Sequence, residues 1–171
     1  DCEIIVNCSE NLPFEVTTDL SNPVWQLVEM HRYNGTFRVW EYSENDAAVK
    51  VVNYATNKSA VIEDNKFWCF TGNLLDGFKI YNKAATTAYT LNATEGNVSV
   101  GTATDGNDLW KLVASTATSD PAACFTNNGT SFMNQNNGEI KYHNEADNGS
   151  TCYFYDYEDL ADFVLTEADE I

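Results

Sequence analysis

The segment Asn107-Asp108-Leu109-Trp110-Lys111-Leu112 recurs along the chain in altered forms. Phe67-Trp68-Cys69-Phe70 lies 42 residues before it, Cys152-Tyr153-Phe154-Tyr155 lies 43 residues after it, and a looser copy, Val24-Trp25-Gln26-Leu27, precedes Trp68 by 43 residues. In each copy an aromatic residue stands among apolar residues, which is typical of a buried strand. Regular spacing of this length indicates a repeat architecture, whose small units must close together to bury their hydrophobic faces. We therefore expect Trp25, Trp68, Trp110 and Tyr153 to lie in the core.

Turn-forming dipeptides divide the chain into short strands. Asn-Gly occurs at positions 34, 128, 137 and 148, and Asp-Gly occurs at positions 76 and 105. These dipeptides tolerate positive φ and favour tight hairpins. Three units of four strands are predicted: 36–42, 49–54, 60–63 and 67–70; 78–82, 88–92, 97–102 and 109–113; 123–127, 131–134, 139–143 and 152–157. A further strand is predicted at 24–28, which leaves open whether Trp25 opens the first unit.

The repeats occupy the middle of the chain. Residues 1–21 are interpreted as an N-terminal strand or extension, and residues 22–157 as one all-β domain. Residues 158–171 are strongly acidic, with Leu160, Phe163 and Val164 at helical spacing, so they are interpreted as an exit helix or a linker toward a neighbouring domain.

Composition limits the classes of partner. The 171 residues include 26 acidic and 9 basic side chains, which gives a formal net charge of −17. Such a surface repels phosphates, so nucleic acid and anionic lipid are excluded as primary partners. No apolar run approaches the roughly 18 residues of a membrane span, and no membrane insertion is expected. A monomer is expected.

Five cysteines, at positions 2, 8, 69, 124 and 152, form no Cys-x-x-Cys pair of the kind that binds metal. Cys69, beside Trp68, is expected to be a buried thiol. Cys124 and Cys152 fall in the first and last strands of the third unit, which are candidates for neighbours. The sequence leaves open whether these two form a disulfide, whether Cys2 pairs with Cys8, or whether all five are reduced.

No enzymatic motif stands out. The two histidines, His31 and His143, have no partner at metal-binding spacing, and no Gly-x-Ser-x-Gly motif or phosphate-binding loop occurs. The many carboxylates are interpreted as a solvated acidic surface. We therefore expect a protein without catalytic activity, metal or cofactor.

A triplicated unit of about 42 residues that ends in an x-x-Trp-x-Leu strand resembles the β-trefoil of ricin-type lectins. The segments 76–84 and 107–110 are similar to repeats in lectin-like modules of large secreted bacterial proteins. The resemblance implies an all-β fold, a β-trefoil with three pseudo-repeats, and a non-catalytic carbohydrate-binding module of a larger secreted or cell-surface protein. A trefoil that serves as a protein-interaction or spacer module is the alternative.

The sequence departs from the lectin signature in its last strands. A Gln two places before the Trp is usual, but Lys66, Asp108 and Thr151 stand there, and Tyr153 replaces the third Trp. This departure concerns the fold signature more than sugar binding.

The resemblance also implies a set of sugar-binding residues. A polar side chain after the first strand of each unit would accept sugar hydroxyls, and an aromatic ring would stack on the sugar. The candidates are Glu41, Trp40 and Tyr42 in the first unit, Asn82 in the second, and Asn127, Tyr142 and Asn144 in the third. The strand Val98-Ser99-Val100 predicts a second unit that binds no sugar. Packing of Trp40 and Tyr42, and turn formation by Asn127 and Asn144, remain open as structural alternatives.

Overall fold

The structure is a computed structural model that describes residues 14–31, 37–53, 63–85, 89–94, 96–102, 106–118, 122–144 and 146–158. This part of the chain is all-β, as expected, and holds twelve strands: β1 (Gln26–His31), β2 (Phe37–Ser43), β3 (Ala48–Asn53), β4 (Phe67–Asn73), β5 (Gly77–Asn82), β6 (Tyr89–Thr94), β7 (Asn97–Thr102), β8 (Lys111–Ala114), β9 (Ala123–Thr126), β10 (Phe132–Asn136), β11 (Glu139–His143) and β12 (Cys152–Asp156).

The strands fall into unit one (β1–β4), unit two (β5–β8) and unit three (β9–β12). The strand around Trp25 therefore opens unit one rather than preceding it. Of the predicted strand 60–63, only Glu63 is described, and it precedes a 3₁₀ turn, Asp64–Lys66. Residues 1–13 and 159–171, on which the predictions for the two ends of the chain mainly rest, lie outside the described residues.

The first and last strands of the units close into a barrel. Antiparallel pairing links β1 to β4, β4 to β5, β8 to β9, β9 to β12 and β12 back to β1. Between β5 and β8, Phe78 and Trp110 exchange two backbone hydrogen bonds of 2.8 Å. Gly77 permits this approach, because a Cβ there would lie 2.8 Å from the Leu109 side chain and its φ is 110°.

The middle strands of the units form three hairpins, β2–β3, β6–β7 and β10–β11. Each hairpin pairs with the other two through Ala48–Ser99, Asn97–Lys141 and Lys50–Glu139. The hairpin units therefore support one another at one side of the barrel, and none has to bury its apolar face alone.

Phenylalanine rings fill the centre of the barrel. Phe14, from the segment before β1, lies 4.6 Å from the Phe70 ring and 4.7 Å from the Phe154 ring, measured between centroids. It also contacts Phe78 and Phe125 at 5.4 and 6.3 Å. Phe14 thus belongs to the core, Val16 packs against it, and Thr17 bridges to Thr71 on β4.

The core positions of the last strands correct the sequence alignment of the repeats. Trp68 and Trp110 are fully buried, as predicted, but Trp25 and Tyr153 are only half-buried. The fully buried equivalent in unit three is Cys152, opposite Met30 on β1. A shift of one residue along a strand moves a side chain to the other face, so the aromatic pattern misplaced unit three by one position.

The described cysteines, Cys69, Cys124 and Cys152, are buried free thiols. The expectation for Cys69 is confirmed, and burial raises its thiol pKa. Strands β9 and β12 do pair, but Cys152 lies opposite Ala123. Cys124 is one position out of register with Cys152; both thiols contact Ser150, and no disulfide joins them. Cys2 and Cys8 lie outside the described residues.

Among the Asn-Gly dipeptides, Asn137-Gly138 forms the tight β10–β11 turn, with φ values of 54° and 81°. Asn148-Gly149 lies instead in a second 3₁₀ turn, Asn148–Ser150. No helix in the described part of the chain is long and apolar enough to span a bilayer.

Candidate functional site

Of the three candidates on β2, Trp40 is buried in the core, Tyr42 packs against the core, and Glu41 forms an ion pair. Trp40 has 0% of its surface exposed, its Nε1 donates to Met30 Sδ at 3.3 Å, and its ring meets Trp68 edge-on. The position of Trp40 overturns the expectation that it stacks on a sugar. Glu41, on the other face of the strand, pairs with the Lys66 amine at 3.1 Å.

Asn82, the candidate of unit two, is 3% exposed. Its Nδ2 donates to the Asn65 carbonyl and its Oδ1 accepts from Ala84 N, both at 2.9 Å. Both ends of the amide therefore stabilise local backbone. Val98 and Val100 in the same unit are buried, at 4% and 5% exposure.

Tyr142 and Asn127 hold the turn between β9 and β10. The Tyr142 hydroxyl accepts hydrogen bonds from the backbone N–H groups of Asn127 and Asn128, at 2.9 and 3.1 Å. It also donates to Asn128 Oδ1 at 3.1 Å, and the Tyr142 ring packs edge-on against Trp110. Asn127 Nδ2 donates to the carbonyls of Gly106 and Leu109. The structure brings this predicted pair together, as a brace between units two and three.

Two polar clefts run along β10 beside this brace. Cleft A, of about 400 Å³, is lined by Arg38, Asn134, Gln135, Asn136, Asn137, Asp147, Asn148 and Gly149. Cleft B, of about 390 Å³, is lined by Asn134, Gln135, Asn136, His143 and Asn144. The clefts share three consecutive amide residues of β10. Of the predicted candidates, Asn144 lies in cleft B and is exposed.

The wall of cleft A is organised by Asp147. Its Oδ1 accepts from Asn134 Nδ2 at 3.0 Å and from Gly149 N at 2.8 Å. Its backbone carbonyl accepts from the hydroxyls of Ser150 and Thr151, both at 2.9 Å. These bonds fix the second 3₁₀ turn against the hairpin, and they leave the exposed Asn136 and Asn148 side chains at the cleft surface.

Gln135 connects the clefts to strand β1. Its Nε2 donates to the His31 carbonyl at 3.1 Å, while its Oε1 is buried and receives no hydrogen bond from the described residues. His31 is itself held firmly: its ring stacks on Tyr153 at 4.4 Å, and its Nε2 lies 2.7 Å from Glu29 Oε1. Glu29 also accepts a hydrogen bond from the Tyr155 hydroxyl at 3.3 Å.

The lining of the clefts is chemically suited to a hydroxyl-rich neutral ligand. Amide side chains carry both donors and acceptors, as sugar hydroxyls do. Among the described residues, no group of three or more His, Cys, Asp or Glu side chains is placed to hold a metal ion.

Sequence reasoning missed most of the cleft residues. The missed residues are Arg38, Asn134, Gln135, Asn136, Asn137, His143, Asp147, Asn148 and Gly149. One signal was available, because Asn134-Gln135-Asn136-Asn137 is an unbroken run of amides where a strand of this fold should alternate. No sequence pattern indicates that Arg38 of unit one lines the cleft, since Arg38 is 96 positions before Asn134.

Comparisons with solved structures show what this fold is similar to. A mosquitocidal holotoxin matches 78% of the chain with a TM-score of 0.61 at 14% identity, and the match covers 16% of the toxin. SeviL, solved bound to asialo-GM1 saccharide, matches 77% of the chain with a TM-score of 0.57 at 13% identity, and the match covers 97% of SeviL. A GlcNAcα1-4Gal-releasing endo-β-galactosidase from Clostridium perfringens matches 78% with a TM-score of 0.59 at 17% identity, over 32% of that enzyme.

At these identities the likeness shows the fold alone. No protein-family model matches the sequence, and no curated protein matches it significantly. The chain therefore shares its fold with SeviL and with segments of the mosquitocidal holotoxin and of the endo-β-galactosidase.

Proposed function

We propose that the chain is a non-catalytic carbohydrate-binding module with a ricin-type β-trefoil fold. Three units of four strands, a closed ring of first and last strands, and three mutually paired hairpins support the trefoil assignment. The amide-lined clefts along β10 carry the proposal of sugar binding. The fold that this chain shares with SeviL supports it, since SeviL was solved with a saccharide bound.

The binding site is proposed for unit three, but on a different set of residues from the one expected. Asn144 remains a direct candidate because it lines cleft B. Asn127 and Tyr142 act by holding the adjacent turn. Asn134, Gln135 and Asn136 supply the hydrogen-bonding surface of both clefts.

The module is proposed to act as a monomer within a larger secreted or cell-surface protein. The matched region makes up 16% of the holotoxin and 32% of the endo-β-galactosidase, so this fold occurs as one part of longer chains. A neighbouring domain that tethers the module would raise the avidity of a weak sugar site.

A glycan array with matched variants tests the function. Asn136→Ala removes an exposed amide shared by both clefts, and Thr94→Ala is its control, because each residue is the last of its strand before the hairpin turn. Wild type and Thr94→Ala should bind the same glycan, whereas Asn136→Ala should bind about threefold to tenfold more weakly, as expected for one lost hydrogen bond.

Two outcomes would contradict the proposal. If Thr94→Ala weakened glycan binding as much as Asn136→Ala does, the site would not lie in unit three. No binding across the array by a chain shown to be folded by circular dichroism would favour the alternative, a trefoil that serves as an interaction or spacer module.

A further inference from the structure

Clefts A and B meet along one short strand. Asn134, Gln135 and Asn136 line both, while Arg38 and the Asp147–Gly149 segment lie only in cleft A and His143 and Asn144 only in cleft B. Each cleft falls within the roughly 300–1,000 Å³ range of small-molecule pockets. A single ligand that crosses β10 would therefore contact two chemically different surfaces with the shared amides between them.

The orientation of the Gln135 amide is determined by its contact with β1. Its Nε2 donates to the His31 carbonyl at 3.1 Å, and the opposite orientation would set two oxygens against each other. The Oε1 atom is consequently directed away from His31. It is buried without a hydrogen-bond partner among the described residues.

A buried acceptor without a partner is uncommon in folded proteins and costs free energy. A donor supplied by a ligand removes that cost, and a sugar hydroxyl is such a donor. Gln135 lines both clefts, but its Oε1 has almost no accessible surface, so a hydroxyl group in the clefts reaches it only when the side chain rotates.

We propose, resting on the carbohydrate-binding function proposed above, that clefts A and B are two subsites of one site for a saccharide of at least two residues. The saccharide lies across β10, with one sugar residue in each cleft. The Gln135 side chain rotates toward the clefts when the saccharide binds, and one of the ligand's hydroxyl groups then donates to Gln135 Oε1. Gln135 is thus a specificity-determining residue, and a monosaccharide fills only half of the site.

Ligand length is the first test. A glycan array of immobilised mono- and oligosaccharides that includes the asialo-GM1 saccharide selects the strongest ligand, and calorimetry then compares that ligand with its terminal disaccharide and monosaccharide. We expect the disaccharide to bind at least about tenfold more tightly than the monosaccharide. Equal affinities would overturn the two-subsite proposal alone, whereas no binding by any saccharide would overturn the proposed function together with it.

Variants on the two sides of β10 test simultaneous occupancy. Arg38→Ala alters cleft A and Asn144→Ala alters cleft B, and each should weaken oligosaccharide binding by severalfold. Thr94→Ala is again the control, because it lies on the hairpin of unit two and lines neither cleft. A ligand that responds to only one of the two cleft variants occupies one cleft, which would contradict the proposal.

Gln135→Ala separates a binding role from a structural one. The variant should bind the oligosaccharide about tenfold more weakly, as expected for one hydrogen bond to a buried acceptor. Its melting temperature without ligand should change little, because the substitution also removes an unsatisfied acceptor. A large loss of thermal stability with unchanged affinity would overturn the proposed role.

Discussion

Units two and three have the same arrangement of strands but differ in the side chains that those strands carry. Leu91 and Met133, Asn92 and Asn134, and Ala93 and Gln135 occupy equivalent positions, counted back from the hairpin turns. In unit two, Ala93 is 6% exposed and its backbone N–H donates to the Asn107 carbonyl at 2.7 Å. In unit three, Asn134, the equivalent of Asn92, instead uses its side chain to bind the Asp147 side chain. Unit two therefore uses a backbone contact at this end of its hairpin, and unit three uses a side-chain contact in the wall of cleft A.

The last strands of units two and three also differ in the side chain that they place in the core. Trp110 in unit two donates from Nε1 to the Leu91 carbonyl at 3.0 Å, whereas the smaller Cys152 stands at the equivalent position in unit three. Unit two therefore contributes a large anchor to the core. Unit three contributes less to the core and carries the polar clefts, which suggests that stability and binding are separable by substitution.

The largest expected effect is on the core anchors. Trp110→Ala should lower the free energy of unfolding by about 3–5 kcal/mol, because it leaves a cavity and removes a hydrogen bond to a buried carbonyl. Cys152→Ala should cost only about 1 kcal/mol, since it removes one sulfur atom. Urea denaturation monitored by tryptophan fluorescence and circular dichroism measures both losses. Equal losses would show that the two units anchor the core alike.

A smaller effect is expected when unit two receives the residue of unit three. Ala93→Gln inserts a long polar side chain where the backbone of residue 107 already packs, so stability should fall by about 1–3 kcal/mol. The unfolding free energy of this variant, compared with that of Gln135→Ala, measures the difference. A neutral Ala93→Gln substitution would indicate that unit two also has room for a cleft.

Removal of the Tyr142 hydroxyl should have a still smaller effect. Tyr142→Phe deprives two backbone donors, at Asn127 and Asn128, of their acceptor in a half-exposed place, so the cost should be about 1 kcal/mol. Val100→Ile, at the equivalent position of unit two, is the control, because it changes the side chain at this hairpin position without removing a hydrogen bond. Amide hydrogen exchange should become faster at residues 127 and 128. Unchanged exchange there would contradict the assignment of Tyr142 as the brace of this turn.

The subtlest prediction concerns pH and the β1–β12 pair. Burial, together with the Glu29 carboxylate, raises the pKa of Tyr155 to about 12. A phenol in the unfolded chain titrates near 10, so the stabilisation due to the neutral phenol is complete below about pH 10 and is lost as the pH rises toward 12. Unfolding free energies at pH 8 to 11.5 should fall more steeply for wild type than for Tyr155→Phe. Parallel curves of unfolding free energy against pH for the two proteins would indicate that the Tyr155 hydroxyl is exposed to water.

Much of the architecture followed from sequence patterns because those patterns reflect local constraints. Alternation and turn dipeptides located the strands of units two and three to within a few residues, and β7 and β11 have the predicted bounds. The period near 42 residues predicted three units, since a unit that cannot bury its own face must be repeated. The same pattern placed Trp68 and Trp110 in the core correctly.

Only the tertiary structure decided the face of each strand and the composition of the clefts. Tyr153 was assigned to the core because it is aromatic, but the pairing of Met30 with Cys152 turns Tyr153 outward. Trp40 was a candidate for sugar stacking until its contacts with Met30 and Trp68 showed it to be buried. Cleft A depends on Arg38 and Asp147, which come from different units. Contacts between residues so distant in sequence arise only when the barrel closes, so no local pattern records them.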